Sequence, residues 1–242
     1  MNSQTCNKRT FTIPALVILS TGLLFSSCKK DSADDQSITD EDIAEAVSQS
    51  VTPSSAGLVA QADISADIAI NKHLACGATK DSVITGQSSL GAAITYFYRH
   101  ELNRTLSCNE GVPSVLSLSY KGKTTYTTLR MSSNDSAWAT GTVTGLGPAS
   151  TNLVLNQEYT RKGSQQSLVG RKRSFTSTIT ITSSDITVSK TTRRIISGTA
   201  TIQFEGKTSG GITVSRGGTI IFEGNQKAIL KLNSGGEYAL SW

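Results

Sequence analysis

The sequence predicts an all-β protein, a single antiparallel β domain built as a curved sheet, a sandwich or a barrel. Three observations carry this. From about Thr79 onward apolar and hydroxyl residues alternate with period two. In SFTSTITITS, Phe175, Ile179 and Ile181 share one side while Thr176, Thr178, Thr180 and Thr182 share the other. Glycine pairs at Gly210-Gly211, Gly217-Gly218 and Gly235-Gly236 punctuate the alternating runs. Serine and threonine are abundant there and helix formers scarce, which suits strands with one solvated face.

The β domain spans residues 79–242, and a stretch of about 160 residues can bury one sizeable core. Within it, Ser114 to Tyr120, a turn at Lys121-Gly122-Lys123, and Thr124 to Met131 predict a hairpin. The alternation recurs through Ile196, Gly198, Ala200, Ile202 and Phe204, and again through Ala228, Leu230 and Leu232. A membrane-spanning barrel would need an apolar outer face with aromatic girdles, whereas aromatics are 6% of this chain.

Residues 58–78 are rich in Ala, Ile and Asp and predict mixed structure. Residues 28–57 read as an acidic tether with one short helix over 40–49. In SITDEDIAEAVSQS, Thr39 is a good N-cap, Asp42 sits at N3, and Ile38 and Ile43 occupy the positions of a hydrophobic staple. Pro53-Ser54-Ser55-Ala56-Gly57 ends the helix. Alone, a helix this short is marginal in water, so it docks on the domain or frays.

Residues 1–27 form a signal peptide. Lys8 and Arg9 precede an uncharged apolar run from Phe11 to Phe25, shorter than the roughly 20 residues a membrane-spanning helix needs. Its end, Leu24-Phe25-Ser26-Ser27-Cys28, resembles the lipobox of bacterial lipoprotein precursors. That resemblance implies cleavage before Cys28, lipidation of its sulfur and acylation of the new amino group. Such palmitate-like chains hold a protein on its membrane, because each buried methylene contributes about 0.8 kcal/mol. Lys29 and Lys30 lead into seven acids before Ser50. A lipidated cysteine followed by a short acidic run is similar to the surface-export signal of Bacteroidota lipoproteins. The chain as a whole resembles their all-β members, which implies an outer-membrane, cell-surface location.

With Cys6 in the signal peptide and Cys28 consumed by lipid, Cys76 and Cys108 remain, and an oxidising compartment makes them a disulfide. His73 stands three residues before Cys76, but no second His/Cys cluster exists to complete a metal site.

Catalytic motifs are absent from the sequence: it contains no Gly-x-Ser-x-Gly elbow, phosphate loop, dinucleotide fingerprint or HExxH, and no cofactor is implied. His100, beside Arg99 and Glu101, reads as a surface residue. Glu101, Glu110, Glu158 and Asp185 are the acids from which a glycosidase pair could be drawn. Tyr96-Phe97-Tyr98 and Trp138 could stack on sugar, but in a domain this poor in aromatics they read as core. Arg161, Lys162, Arg171, Lys172, Arg173, Lys190, Arg193 and Arg194 place eight cations in 34 residues against Asp185 alone. If the stretch is a hairpin, its basic ends lie side by side, a surface for anionic glycans or other polyanions, or else a solvated face. No aromatics are interleaved as single-strand nucleic-acid binding would require. Asp-Ser followed by a small or aliphatic residue is similar to the O-glycosylation signal of exported Bacteroidota proteins. It occurs at Ser32, Ser82 and Ser136, the last in the turn-like SSNDSAW. The sequence therefore predicts a lipid-anchored, non-enzymatic binding, adhesion or accessory protein, with a surface glycan hydrolase as the alternative.

Overall fold

Two helices lie inside a curled sheet, and local sequence explains both parts. The computed structural model describes residues 37–71, 74–170 and 172–242. Cys28, Ser32, His73 and Arg171 lie outside the described residues.

Helix α1 spans Asp40–Val51, two residues beyond the predicted end. Thr39 and Asp42 form a reciprocal capping box, with the Asp42 amide donating to Thr39 Oγ1 at 3.2 Å and the Thr39 amide to Asp42 Oδ2 at 3.3 Å. The helix stops where Thr52 turns extended ahead of Pro53. A 3-10 turn at Pro53–Ser55 and left-handed Ala56 reverse the chain. A Cβ on Gly57 would lie 2.6 Å from the Ser50 and Thr52 carbonyl oxygens, so the turn closes only on glycine. Helix α2 then runs Leu58–Asn71, which corrects the mixed structure expected over 58–78. The tether is corrected as well, since the segment 40–57 packs into the core through Ile43, Val47 and Val51, which are fully buried.

Ten antiparallel strands follow in chain order as one meander: β1 (Thr79–Gln87), β2 (Thr95–Asn109), β3 (Val112–Thr127), β4 (Met131–Thr144), β5 (Asn152–Ser167), β6 (Ser174–Ser189), β7 (Ile195–Thr208), β8 (Thr213–Gly224), β9 (Lys227–Leu232) and β10 (Glu237–Ser241). The protein is all-β, and of the three architectures left open it takes the curved, unclosed sheet. Its edge strands, β1 with nine residues and β10 with five, are shorter than the mid-sheet strands of up to 16, which limits the unpaired backbone offered to other chains. The inner face of the sheet wraps the helices: α1 packs on β4 and β5, α2 on β5 and β7, and the 3-10 turn on β2 and β3.

The predicted hairpin around Lys121-Gly122-Lys123 is instead the middle of one strand, β3. Gly122 is there for a close approach, because a Cβ would come 2.1 Å from the Arg99 carbonyl oxygen and 2.4 Å from the His100 ring. Of the three glycine pairs, Gly210-Gly211 and Gly235-Gly236 lie between strands as expected, whereas Gly217-Gly218 lies within β8.

Cys76 and Cys108 are joined, tying the segment that enters β1 to the end of β2. For a closed loop of 32 residues the chain-entropy model gives about 3–4 kcal/mol. Reduction should lower the unfolding free energy by about that amount, read as a shift in urea midpoint between reduced and oxidised protein. No shift would mean that the bridge adds nothing to the fold.

Candidate functional site

The inner face carries a buried polar network. Along β5 the inward residues are Leu153, Leu155, Gln157, Tyr159 and Arg161, so strand parity pulls Arg161 into the interior, where it is 2% exposed. Its Nε donates to Asp135 Oδ2 at 2.7 Å, and its Nη1 donates to the Gln49 carbonyl oxygen at 2.7 Å and to Ser55 Oγ at 3.4 Å. Its guanidinium stands 5.0 Å from the centroid of the Tyr126 ring. Burial alone opposes the charge, and Tyr159, Asp135 and Tyr126 more than offset it, so Arg161 stays protonated. Asp135 is in turn held by Ser133 Oγ at 2.6 Å and by Gln165 Nε2 at 2.8 Å, and Ser177 Oγ donates to Gln165 Oε1 at 2.9 Å. Opposite Asp135 stands Gly163, whose Cβ would meet Asp135 Oδ1 at 2.2 Å. Nearby, Gln157 Nε2 donates to Gln61 Oε1, and the Tyr120 hydroxyl lies 2.9 Å from Ser65 Oγ.

Arg161 is therefore no part of a basic surface, and the rest of the predicted cluster is dispersed. Lys162 points outward from mid-strand. Lys172 and Arg173 lie before β6 and Lys190, Arg193 and Arg194 after it. The intervening strand has 16 residues, a span on the order of 50 Å. Arg173 meets Asp42 at 3.4 Å, Arg193 meets Asp67 at 3.1 Å, Arg194 meets Asp63 at 2.7 Å, and Lys190 donates to the Gly147 carbonyl oxygen at 2.7 Å. Ser136 lies within β4 rather than in a turn, and the aspartate before it is the buried Asp135. Ser82 is half-buried on β1 and accepts from Arg104 Nη1 at 3.0 Å. His100, expected at the surface, is 3% exposed on the inner face, with Nε2 at 3.0 Å from Thr124 Oγ1. Burial, and then the Arg161 charge, lower its pKa to about 4.

The outer face differs in kind. Trp138, expected in the core, is 44% exposed at mid-sheet, between Lys121 on β3 and Thr160 on β5. Phe97 also faces outward, while Tyr96 and Tyr98 are half-buried. Beside Trp138 an open groove of about 560 Å³ crosses the strands. One register row of it runs Asn103, Ser119, Thr140, Glu158 and Thr182 from β2 to β6. Adjacent members of such a row stand about 4.8 Å apart, and the Trp138 row is two residues further along the strands, about 7 Å away. Hydroxyl, amide and carboxylate groups in line beside a flat indole offer hydrogen bonds and an apolar platform together.

The four acids proposed for catalysis stay apart. Glu101 lies on β2 and Glu158 on β5, three strands or roughly 14 Å apart across the sheet, outside the spacing of a glycosidase pair. Glu110 sits at the β2–β3 turn and Asp185 in a bulge of β6. The acid near Glu101 is one not singled out beforehand, Asp81, diagonal to it on β1. Glu101 is largely exposed and pairs with Arg99 at 3.7 Å, whereas a general acid of this chemistry is desolvated. Among the described residues no group of three or more His, Cys, Asp and Glu is placed to hold a metal, and no helix is long and apolar enough to cross a membrane. No family model matches the chain, and no curated protein or solved structure matches it at a significant level.

Asp135→Ala should cost about 3–5 kcal/mol, because it strands Arg161 as a buried charge, and combining it with Arg161→Met should recover much of that loss. Urea unfolding of the single and double variants checks both expectations. His100 adds a pH dependence. Below 6.5 the unfolded chain binds a proton that the folded chain refuses until about 4, so stability falls as pH drops through that window. The loss approaches about 3 kcal/mol by the bottom of the window. His100→Asn should remove that part of the slope.

Proposed function

We propose that this chain is a lipid-anchored protein of the outer membrane, held at Cys28 and facing outward, whose sheet binds glycans without chemical turnover. The observation that carries the binding reading is Trp138, an exposed indole at mid-sheet bordered on one side by the Asn103-to-Thr182 row of amide, hydroxyl and carboxylate side chains. A pyranose presents C–H bonds on its face and hydroxyls on its edge, and this surface offers a partner for each. The lipid anchor is supported by the signal peptide and the Leu24-to-Cys28 motif, and surface exposure by the acidic run after Cys28. Arg99, Lys121, Lys123 and Lys162 are exposed in the rows that hold and border Trp138, so acidic sugars fit this surface as well as neutral ones.

The hydrolase alternative would rest on Asp81 and Glu101, which border one open depression on the outer face. Exposure of Glu101 and its pairing with Arg99 speak for solvated carboxylates and for binding alone.

Trp138→Ala should weaken binding to a recognised polysaccharide by about two- to tenfold, the size expected for losing one stacked ring, while the urea midpoint stays near that of the parent. Titration of cell-surface polysaccharides, followed by intrinsic fluorescence and by mobility in glycan-containing gels, checks this. Failure of every glycan to shift the parent protein would end the reading. Separately, Cys28→Ala should leave an uncleaved or mislocalised precursor, and normal membrane retention of that variant would defeat the anchor.

A further inference from the structure

We infer that one rim of the sheet, the rim formed by the β1–β2, β3–β4 and β5–β6 turns, docks on the bilayer surface. The two most exposed large apolar residues among those described are at its tips: Leu90 at 106% and Leu129 at 78% relative exposure. Val169 occupies the β5–β6 turn, and Ile94 flanks Leu90. In a meander, alternate turns fall on the same end of the sheet, so these tips stand in a row, each about 10 Å (two strands) from the next.

The tips are held in place. Leu168 donates its amide to the Arg130 carbonyl oxygen at 2.7 Å, joining two neighbouring turns. Thr128 Oγ1 accepts from the Arg130 and Met131 amides at 3.1 and 3.0 Å and donates to Glu45 on α1 at 2.8 Å, which fixes Leu129 outward. An apolar side chain pinned in water gains by entering an interface.

Charge agrees. Among the described residues, the five turns on this rim contain Arg130, Lys172 and Arg173, the last paired with Asp42, and no acidic residue. Lys172 is exposed and Arg130 stands beside Leu129. Cations next to apolar tips suit a surface of anionic headgroups over acyl chains. On the opposite rim the cations Lys190, Arg193 and Arg194 are already engaged, and the exposed Val112 and Ile196 belong to strands rather than turn tips.

The chain's point of entry adds an independent reason. The start of α1 lies at this same rim, with Asp42 on Arg173, Glu45 on Thr128, and Ile38 packed where a Gly206 Cβ would be. Cys28 is nine residues before Ser37, a reach of at most about 32 Å. A lipid at Cys28 therefore keeps this rim close to the bilayer. In this respect the inference rests on the anchor reading.

The test uses the lipidated protein in native membranes. With Cys76 and Cys108 bonded and Cys28 acylated, a cysteine introduced by Leu90→Cys or Leu129→Cys is the one reactive thiol, and at exposed tips it leaves the fold intact. Labelled with a polarity-sensitive nitrobenzoxadiazole probe, both sites should show blue-shifted emission that is quenched by spin-labelled phospholipid. Ala149→Cys and Thr192→Cys, on the opposite rim, should show neither. Probes at both rims reporting water, or the opposite rim alone reporting lipid, would overturn the docking with the anchor intact. Recovery of the parent chain free of membrane would overturn the anchor, and this docking with it.

Discussion

A guanidinium sealed inside a sheet must find a counter-charge and acceptors for its protons, or the interior cannot close over it. Arg161 meets most of that condition by joining parts of the chain that are far apart in sequence, with Nη2 alone left without a partner. Its carboxylate partner is Asp135 on β4, and its backbone acceptor is Gln49 near the end of α1. Ser55, from the turn between the helices, lies against it as well. The pair contributes little net stability compared with an apolar core of equal volume, since both ions are desolvated. Its effect is on placement. Slipping α1 along its axis would remove the Gln49 carbonyl from Nη1, so the helices have one seat inside the sheet. Hydrophobic packing alone would penalise such a slip less sharply, being non-directional.

That seat shapes the sheet around it. A strand crossing a buried helix has to pass close to its neighbours, and side chains are dropped where it does. Gly163 leaves room for Asp135, and Gly122 does the same for His100. Without Cβ atoms at these points β3 and β5 can coil, and a long meander curls without needing closure. The short edge strands then end the sheet, and the tasks divide by face. The inner face is committed to the helices and to the Arg161 network, so its chemistry is consumed by folding. The outer face and the turn tips carry none of that burden, which leaves Trp138 and the exposed leucines free to meet something other than this chain.

Much of this was legible in the sequence wherever the signal was local. The Thr39–Asp42 box gave the start of α1, and period two gave the strands and the all-β class. The pairing of Cys76 with Cys108 followed from elimination. Helix α2 was hidden because it is buried on most sides: Leu58, Val59, Ala60, Ala62, Ala66 and Ile68 are all covered, and its polar face is only the narrow stripe Asp63, Asp67 and Asn71. Gly122 between lysines looks like a turn until the neighbouring strand is known. Arg161 was assigned to the surface by its charge, although Leu153, Leu155 and Tyr159 share its parity and already pointed inward. The same parity, running through Leu102 and Leu106, would have placed His100 and Arg104 inside. Trp138 was misplaced for the complementary reason. Its inward neighbours are Ala137 and Ala139, too small to announce which face of β4 is the core.

Parity also links the two functional proposals to the buried pair. In a strand a one-residue slip exchanges the faces completely. Slipping β5 would bring Lys162 inside and put Arg161 out, and slipping β4 would bury Trp138 while exposing Asp135. An apolar strand resists such a slip only by the area it buries, whereas here a slip would also strand an ion from its partner. The charged interior therefore holds the register on which the outer face depends, and the row from Asn103 to Thr182 stays aligned across five strands because of it. The turn tips inherit the same alignment, since each is a fixed number of residues from the registered pairs. A surface able to recognise a repeating ligand, and a rim able to rest on a plane, both require strands that do not slide. The Arg161–Asp135 contact supplies that constraint at mid-sheet, where one bond restrains both ends.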